Sequence, residues 1–244
     1  MSPRTGRELF EANRRFYDAL WTDLKLVAPE RFNTWPLVQA LVARSRRRLE
    51  VGPGLRPRLP ITGTEFVDAS APALARLHGC GARAVMGSAT SLPFRDATFE
   101  LVCALDIVEH VGDDERALRE LARVVAPGGV VILSAPLHRA RWTAFDDLVG
   151  HACRYEPREL LAMLAKHELS VKQSAAFGMQ PRSSRLVDLG MWWIENRRAQ
   201  ASWWYNHLIM PFALRFERPL ELRDGMIDTE RVDEILLVCE RAER

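Results

Sequence analysis

Lysine is nearly absent from this chain of 244 residues: Lys25, Lys166 and Lys172 stand alone, and the rest of the 34 basic side chains are arginine, a skew that reads as nucleotide composition rather than function. Against 32 acidic residues the formal charge is +2, too small for the one-sided field that grips duplex nucleic acid. No nucleic-acid partner is expected. Cysteine is scarce too. Cys80, Cys103, Cys153 and Cys239 show no CxxC spacing, which argues against a zinc site, a redox motif or a disulfide framework and points to a reducing, cytoplasmic setting. No uncharged run nears the roughly 18 residues of a membrane-spanning helix, and MSPRTGRELFEANRR puts charge where a signal peptide needs an apolar stretch. What is present is ordinary for a soluble globular protein: 48% hydrophobic and 27% charged residues, with 14 glycines and 14 prolines. The length reads as one large domain or one domain with an insertion.

From Glu8 to about Leu26, Phe16, Leu20 and Leu24, beside Tyr17 and Trp21, recur at helical spacing and predict an amphipathic helix. A second apolar stretch, Trp35 to Val42, leads into the basic run Arg44 to Arg48, read as a solvated helix end. From Leu49 short apolar runs alternate with helical segments, the pattern of βαβ units around a parallel sheet. Candidate strands are Arg48 to Val51, Glu65 to Asp68, Ala84 to Met86, Leu101 to Leu105, Val130 to Ser134, Leu169 to Ser174 and Glu234 to Cys239. Ser70 and Asp113 read as helix caps, Pro157 as a first-turn proline, and Pro127-Gly128-Gly129 as a helix stop.

Leu49-Glu50-Val51-Gly52-Pro53-Gly54 puts two glycines directly after a strand, where missing side chains let a ligand approach the backbone. A dinucleotide fingerprint needs a third glycine three residues after the second; Pro57 stands there, so a nicotinamide or flavin reading loses its main support. The glycine pair alone also fits a plain tight turn. Eighteen residues after Glu50, Asp68 ends the second strand in Phe66-Val67-Asp68-Ala69-Ser70. A carboxylate there can accept both hydroxyl hydrogens of a ribose; the alternative is a cap for the following helix, a role Ser70 already fills.

Taken in order, LEVGPG, FVDAS, GSATSLPFRDATFELVCALDIVEHV, ELARVVAPGGVVILSAP and GHACRYEPREL resemble the motifs of the class I S-adenosylmethionine-dependent methyltransferases, in particular the small-molecule, methyltransferase type 11-like branch, over roughly residues 49–171 and the final strand. The resemblance implies an α/β fold: a Rossmann-like, seven-stranded, mostly parallel sheet with helices on both faces and an antiparallel last strand. It implies S-adenosyl-L-methionine as cofactor. Glu50, Gly52, Pro53 and Gly54 would form the loop under its methionine part, Asp68 and Ala69 would meet the ribose, and Ser88 and Ala89 would edge the adenine. Leu105 and Asp106 would lie beside the methionine group and substrate, and Tyr17 matches a lid tyrosine that reaches the cofactor carboxylate. The chain departs from the pattern where Arg56 replaces a third glycine, where Pro57 and Pro60 leave little room for a helix, and where Ser88 replaces the acid that pairs with adenine.

The reaction so implied is an in-line displacement in which alignment at about 3–3.5 Å supplies most of the catalysis, with a base needed only for a protonated acceptor. His110 is the first candidate, bracing of the next helix being its alternative; His151, Arg154 and Tyr155 form a second cluster like the family's GHxRRY-type segment. Arg154 and Tyr155 could orient an acceptor, or Arg154 could pair with Asp146 or Asp147 to hold the loop. Asp113, Asp114 and Glu115 read as a cap with first-turn acids, and no metal is expected.

The layout implied is one methyltransferase domain over 1–244, with a helical lid (1–46), a cofactor-binding core (47–180), a helical substrate cap (181–222) and a final strand (223–244). Trp192, Trp193, Trp203, Trp204, Tyr205, Phe212 and Phe216 in the insertion fit a pocket lining, a satellite core, a homodimer interface or a peripheral membrane contact. The functional expectation is methyl transfer to a small aromatic or hydrophobic acceptor at O, N or C. Its rivals are a non-catalytic adenosyl-binding scaffold and a nicotinamide-dependent oxidoreductase.

Overall fold

Short apolar runs bounded by turn residues assemble into one eight-stranded sheet in the computed structural model, which describes residues 6–178, 192–193 and 197–243. Strands β1 (Arg48–Val51), β2 (Thr64–Asp68), β3 (Arg83–Met86), β4 (Phe99–Ala104) and β5 (Val125–Pro136) are parallel, and β6 (Leu169–Ala176), β7 (Arg223–Asp224) and β8 (Glu234–Arg241) complete the order β3-β2-β1-β4-β5-β8-β6-β7. β8 lies antiparallel to both β5 and β6. The sequence predicts seven strands; the eighth, β7, is two exposed residues too short to carry a hydrophobic pattern. β5 also begins five residues earlier than Val130, because it pairs Val125 with Phe99 and then absorbs Pro127-Gly128-Gly129 in a register shift before Val130 meets Leu101.

The helices are α1 (Gly6–Asp23), α2 (Trp35–Val42), α3 (Ala71–Gly79), α4 (Asp114–Val124), α5 (Ala144–Val149), α6 (Pro157–Lys166), α7 (Arg198–Trp204) and α8 (Met210–Arg215). Ser70 Oγ accepts from Ala73 N at 3.4 Å and Asp113 Oδ1 from Arg116 N at 2.9 Å, so both caps form. α2 stops at Val42, which leaves the basic run outside the helix; Arg48 instead opens β1 and donates to the Ser45 and Thr62 carbonyls. β4 divides its side chains by alternation. Val102 and Ala104 join Leu118 and Leu121 of α4 on one face, while Leu101 and Cys103 join Val38 and Leu41 of α2 on the other. Both faces are therefore covered, as a parallel sheet requires.

Within the insertion, residues 181–191 and 194–196 lie outside the described residues. Its remainder docks on the end of α1, where Lys25 N donates to Asn206 Oδ1 at 3.0 Å and Asn206 Nδ2 donates to the Asp23 carbonyl at 2.9 Å.

Candidate active site

β1 sends the chain toward β2 and β3 on one side while β4 and β5 lie on the other, so the C-terminal ends of β1 and β4 flank a topological switch point, the crevice where open α/β sheets bind ligands. A cavity of about 230 Å³ lies there. Its wall includes all eleven residues the sequence assigns to cofactor: Glu50, Gly52, Pro53, Gly54, Asp68, Ala69, Ser88, Ala89, Leu105, Asp106 and Tyr17. Of the four candidate catalytic residues only His110 joins them among the described lining.

The floor is built by backbone that only glycine suits. Gly52 has φ +66° and Gly54 φ +54°; a Cβ at 52 would lie 2.0 Å from Ile107 Cδ1 and one at 54 would lie 2.5 Å from Trp21 Cζ2. Asp68 fastens this loop, since Oδ2 accepts from Gly54 N at 2.8 Å and Oδ1 from Ser70 N at 2.8 Å. Each oxygen keeps a further lone pair for a ligand. Burial raises the Asp68 carboxyl against these backbone bonds. Glu50 turns the other way: its oxygens take the backbone N–H groups of Arg58 and Leu59 at 2.8 Å, which makes it a brace for the Pro57–Pro60 turn at the cavity edge. Burial pushes Glu50 up to about 7, with the two backbone bonds opposing. The described residues between β1 and β2 form no helix, so no helix dipole faces the loop.

Arg56 does not fill the crevice. Its guanidinium lies at the wall, 5.8 Å from the Trp21 ring centroid and 5.2 Å from that of Tyr205, a cation–π arrangement joining α1, the loop and the insertion. Burial lowers it to about 10, so it remains charged near neutrality. Arg58, which the sequence reading missed, lies 3.8 Å over Phe32, and its Nη1 is buried without a hydrogen-bond partner among the described residues. No pattern marks it, because Phe32 and Phe177, the two rings it lies over, are distant in sequence.

Asp106, two residues beyond β4, has φ +56°, a strained position at the cavity wall. Ser134 Oγ donates to it at 2.6 Å. Desolvation at the cavity wall works to raise Asp106, which keeps an exposed face, yet hydrogen bonds from Glu234 and Ser134 hold it below the usual carboxylate range, while desolvation and that neighbouring anion push the half-buried Glu234 well up. Tyr17 stacks on Trp21 and its hydroxyl lies 3.3 Å from His110 Nε2; burial, then the Glu109 charge, raises the phenol. Burial, followed by the His151 ring, lowers His110 to about 4, against the pull of Asp106 and the Gly150 carbonyl, so its imidazole is neutral at pH 7.

The structure does not bring Arg154 and Tyr155 to an acceptor. Arg154 is 1% exposed and forks onto Asp146 at 2.8 and 2.9 Å, the loop-holding alternative, while Tyr155 is 2% exposed and donates to Asp114 Oδ2 at 2.9 Å. His151 Nδ1 pairs with Asp146 Oδ1 at 2.8 Å, which sets its ring 4.7 Å from that of His110. The insertion aromatics line no part of this cavity among the described residues; Trp192, Trp203, Trp204, Phe212 and Phe216 are exposed, and Tyr205 meets only the rim through Arg56.

Residues 59–133 match the family model described as a methyltransferase domain. A norajmaline N-methyltransferase of Rauvolfia serpentina is 43% identical over 54 residues, 22% of this chain and 18% of that protein. An uncharacterized methyltransferase of Mycobacterium sp. (strain JLS) is 31% identical over 128 residues, 49% of each. The matched stretch thus spans half or less of these curated relatives. Among solved structures, a SAM-dependent methyltransferase of Thermotoga maritima superposes with TM-score 0.57 at 16% identity over 97% of both chains, and one from Methanosarcina mazei with TM-score 0.54 at 12% identity over 86% of this chain and 99% of that one. The fold is theirs. Residues 59–133 therefore match a methyltransferase domain, and the fold is that of S-adenosylmethionine-dependent methyltransferases, whose cofactor is S-adenosyl-L-methionine.

Proposed function

We propose that this chain transfers a methyl group from S-adenosyl-L-methionine to a small aromatic or hydrophobic acceptor. The observation that carries the reading is the convergence on one switch-point cavity of a side-chain-free loop and an anchored carboxylate, Asp68, with lone pairs to spare. The cofactor, when bound, supplies an electrophilic methyl on a sulfonium. The remaining work belongs to the chain. Gly52 and Gly54 admit the ligand to the backbone, and Asp68 accepts from ribose hydroxyls while still holding Gly54 N. Arg56 offers its cation to a carboxylate, and the Asp106 anion, kept ionised by Ser134 and Glu234, orients an acceptor through its donor groups. Helix α1 acts as the lid through Tyr17 and Trp21, excluding water from the aligned pair.

His110 serves this reaction poorly as a base. A group held near 4 takes up a proton weakly at neutral pH. Alignment therefore dominates, and the acceptor presents its own lone pair.

The second reading, an adenosyl-binding scaffold, is favoured by one feature: of the four candidate catalytic residues only His110 lines the cavity, and it is a weak base. Incubating pure protein with methyl-labelled cofactor and an extract of its source cell separates the two. Label should enter one small product with wild type and none with Asp68→Ala; binding without label in either supports the scaffold. No helix among the described residues is long and apolar enough to cross a membrane, and the exposed aromatics leave peripheral membrane contact and a homodimer as the partner readings.

A further inference from the structure

Glu109, His110 and His151 come together beside the cavity, each offering a donor atom within 4.8 Å of the other two. The sequence could not reveal this, because Glu109 and His110 follow β4 while His151 follows α5. Two polar atoms of this cluster stand out among the buried ones. Glu109 is 2% exposed, yet its Oε2 has no hydrogen-bond partner among the described residues, and the buried Nδ1 of His110 makes no bond of full geometry, the Gly150 carbonyl that pulls on this ring being taken by Asn13 Nδ2 at 3.0 Å. Leaving two such atoms without a partner is costly in a bare protein. Their burial side by side points to something that satisfies both.

The surroundings resemble the outer shell of a metal centre rather than a casual cluster. His151 Nδ1 is fixed by Asp146 Oδ1 at 2.8 Å, and Asp146 is itself held by Arg154 and Thr143, so Nε2 is the nitrogen His151 has left for a ligand. A carboxylate behind a ligating imidazole is the usual device for setting tautomer and ring orientation. His110 Nε2 is likewise taken by Tyr17 Oη at 3.3 Å, which leaves Nδ1 as the free donor. We propose that Glu109 Oε2, His110 Nδ1 and His151 Nε2 form a binding site for a first-row divalent cation.

Two imidazoles and one carboxylate select against magnesium and calcium, which prefer oxygen donors, and suit zinc, manganese, iron or cobalt. Bonds of about 2.0–2.2 Å place ligand atoms roughly 3–3.5 Å apart, so loading draws the three side chains inward by about an ångström. Three protein ligands leave positions open for water or for an oxygen or nitrogen of a small molecule in the adjoining cavity, whose wall His110 shares. The proposal is independent of methyl transfer, since cation binding is read without cofactor.

The test uses the full chain stripped with chelator and titrated with Co²⁺, then Zn²⁺. One Co²⁺ per chain, with visible absorption bands that Zn²⁺ displaces, is the expected result. Glu109→Gln and His151→Ala should each weaken binding at least tenfold while melting as cooperatively as the stripped wild type. Featureless spectra with no stoichiometric uptake at millimolar cation overturn the site, as does wild-type affinity in both variants. Should either variant fail to fold, the wild-type spectrum and Zn²⁺ displacement decide alone.

Discussion

Trp21 packs directly against Gly54, so that any Cβ at residue 54 would fall 2.5 Å from the indole Cζ2. This contact fastens helix α1 to the loop that floors the cavity. Gly54→Ala should therefore combine backbone strain with collision, lose about 2–3 kcal/mol of stability and weaken S-adenosylhomocysteine binding at least tenfold. Gly81→Ala is the control: it carries a similar strain at φ +80° with nothing within 4 Å. Urea unfolding and calorimetry on both variants separate strain from the Trp21 contact; equal losses in the two would contradict it.

Glu50 should make stability fall as pH rises. Burial places its folded value at about 7 against an ordinary 4.5, so between those values the folded state holds a proton that the unfolded chain has released. The stabilisation is fully present below about pH 4.5 and is lost as pH climbs through about 7, an effect on the order of 2–3 kcal/mol. Glu50→Gln removes the titration and should flatten that part of the curve. Urea midpoints measured from pH 5 to 8 give the answer, and identical slopes in the two proteins would refute the assignment.

Arg154 is a structural residue on this account. Replacing it with Met strands the buried Asp146 carboxylate and should cost about 3–5 kcal/mol, yet leave S-adenosylhomocysteine affinity in the folded fraction within twofold. A collapse of affinity with little change in unfolding midpoint would return Arg154 to the ligand site.

Arg56 should act on the charged tail of the ligand. Arg56→Ala is expected to weaken S-adenosylhomocysteine about tenfold, roughly 1.4 kcal/mol, and to leave 5′-methylthioadenosine, which lacks the carboxylate, nearly unchanged. Equal losses for both ligands would assign Arg56 to packing between Trp21 and Tyr205 alone.

Local chemistry is what the sequence made legible. Ser70, Asp113 and Pro157 act where they stand, and the loop from Glu50 to Gly54 with Asp68 lies at the end of strands whose apolar runs are self-evident. The pairing of Arg154 with Asp146 was only one of two readings, because choosing between them depends on which way a loop folds. Tyr155 looked available because nothing local signals Asp114, its partner 41 residues away. Arg58 and the Glu109, His110 and His151 cluster were invisible for the same reason: their neighbours arrive from separate elements. The two-residue β7 escaped because it has no interior of its own and pairs only with the edge of β6.

The central claim is that the crevice between β1 and β4 holds the adenosyl ligand with Asp68 on its sugar, and titration calorimetry with S-adenosylhomocysteine addresses it directly. Wild type should bind one molecule per chain, and Asp68→Asn, which keeps its size but offers one acceptor oxygen instead of two, should bind at least tenfold more weakly with an unchanged fold by circular dichroism. No heat from wild type at millimolar ligand, or equal affinity in the two proteins, would contradict the account.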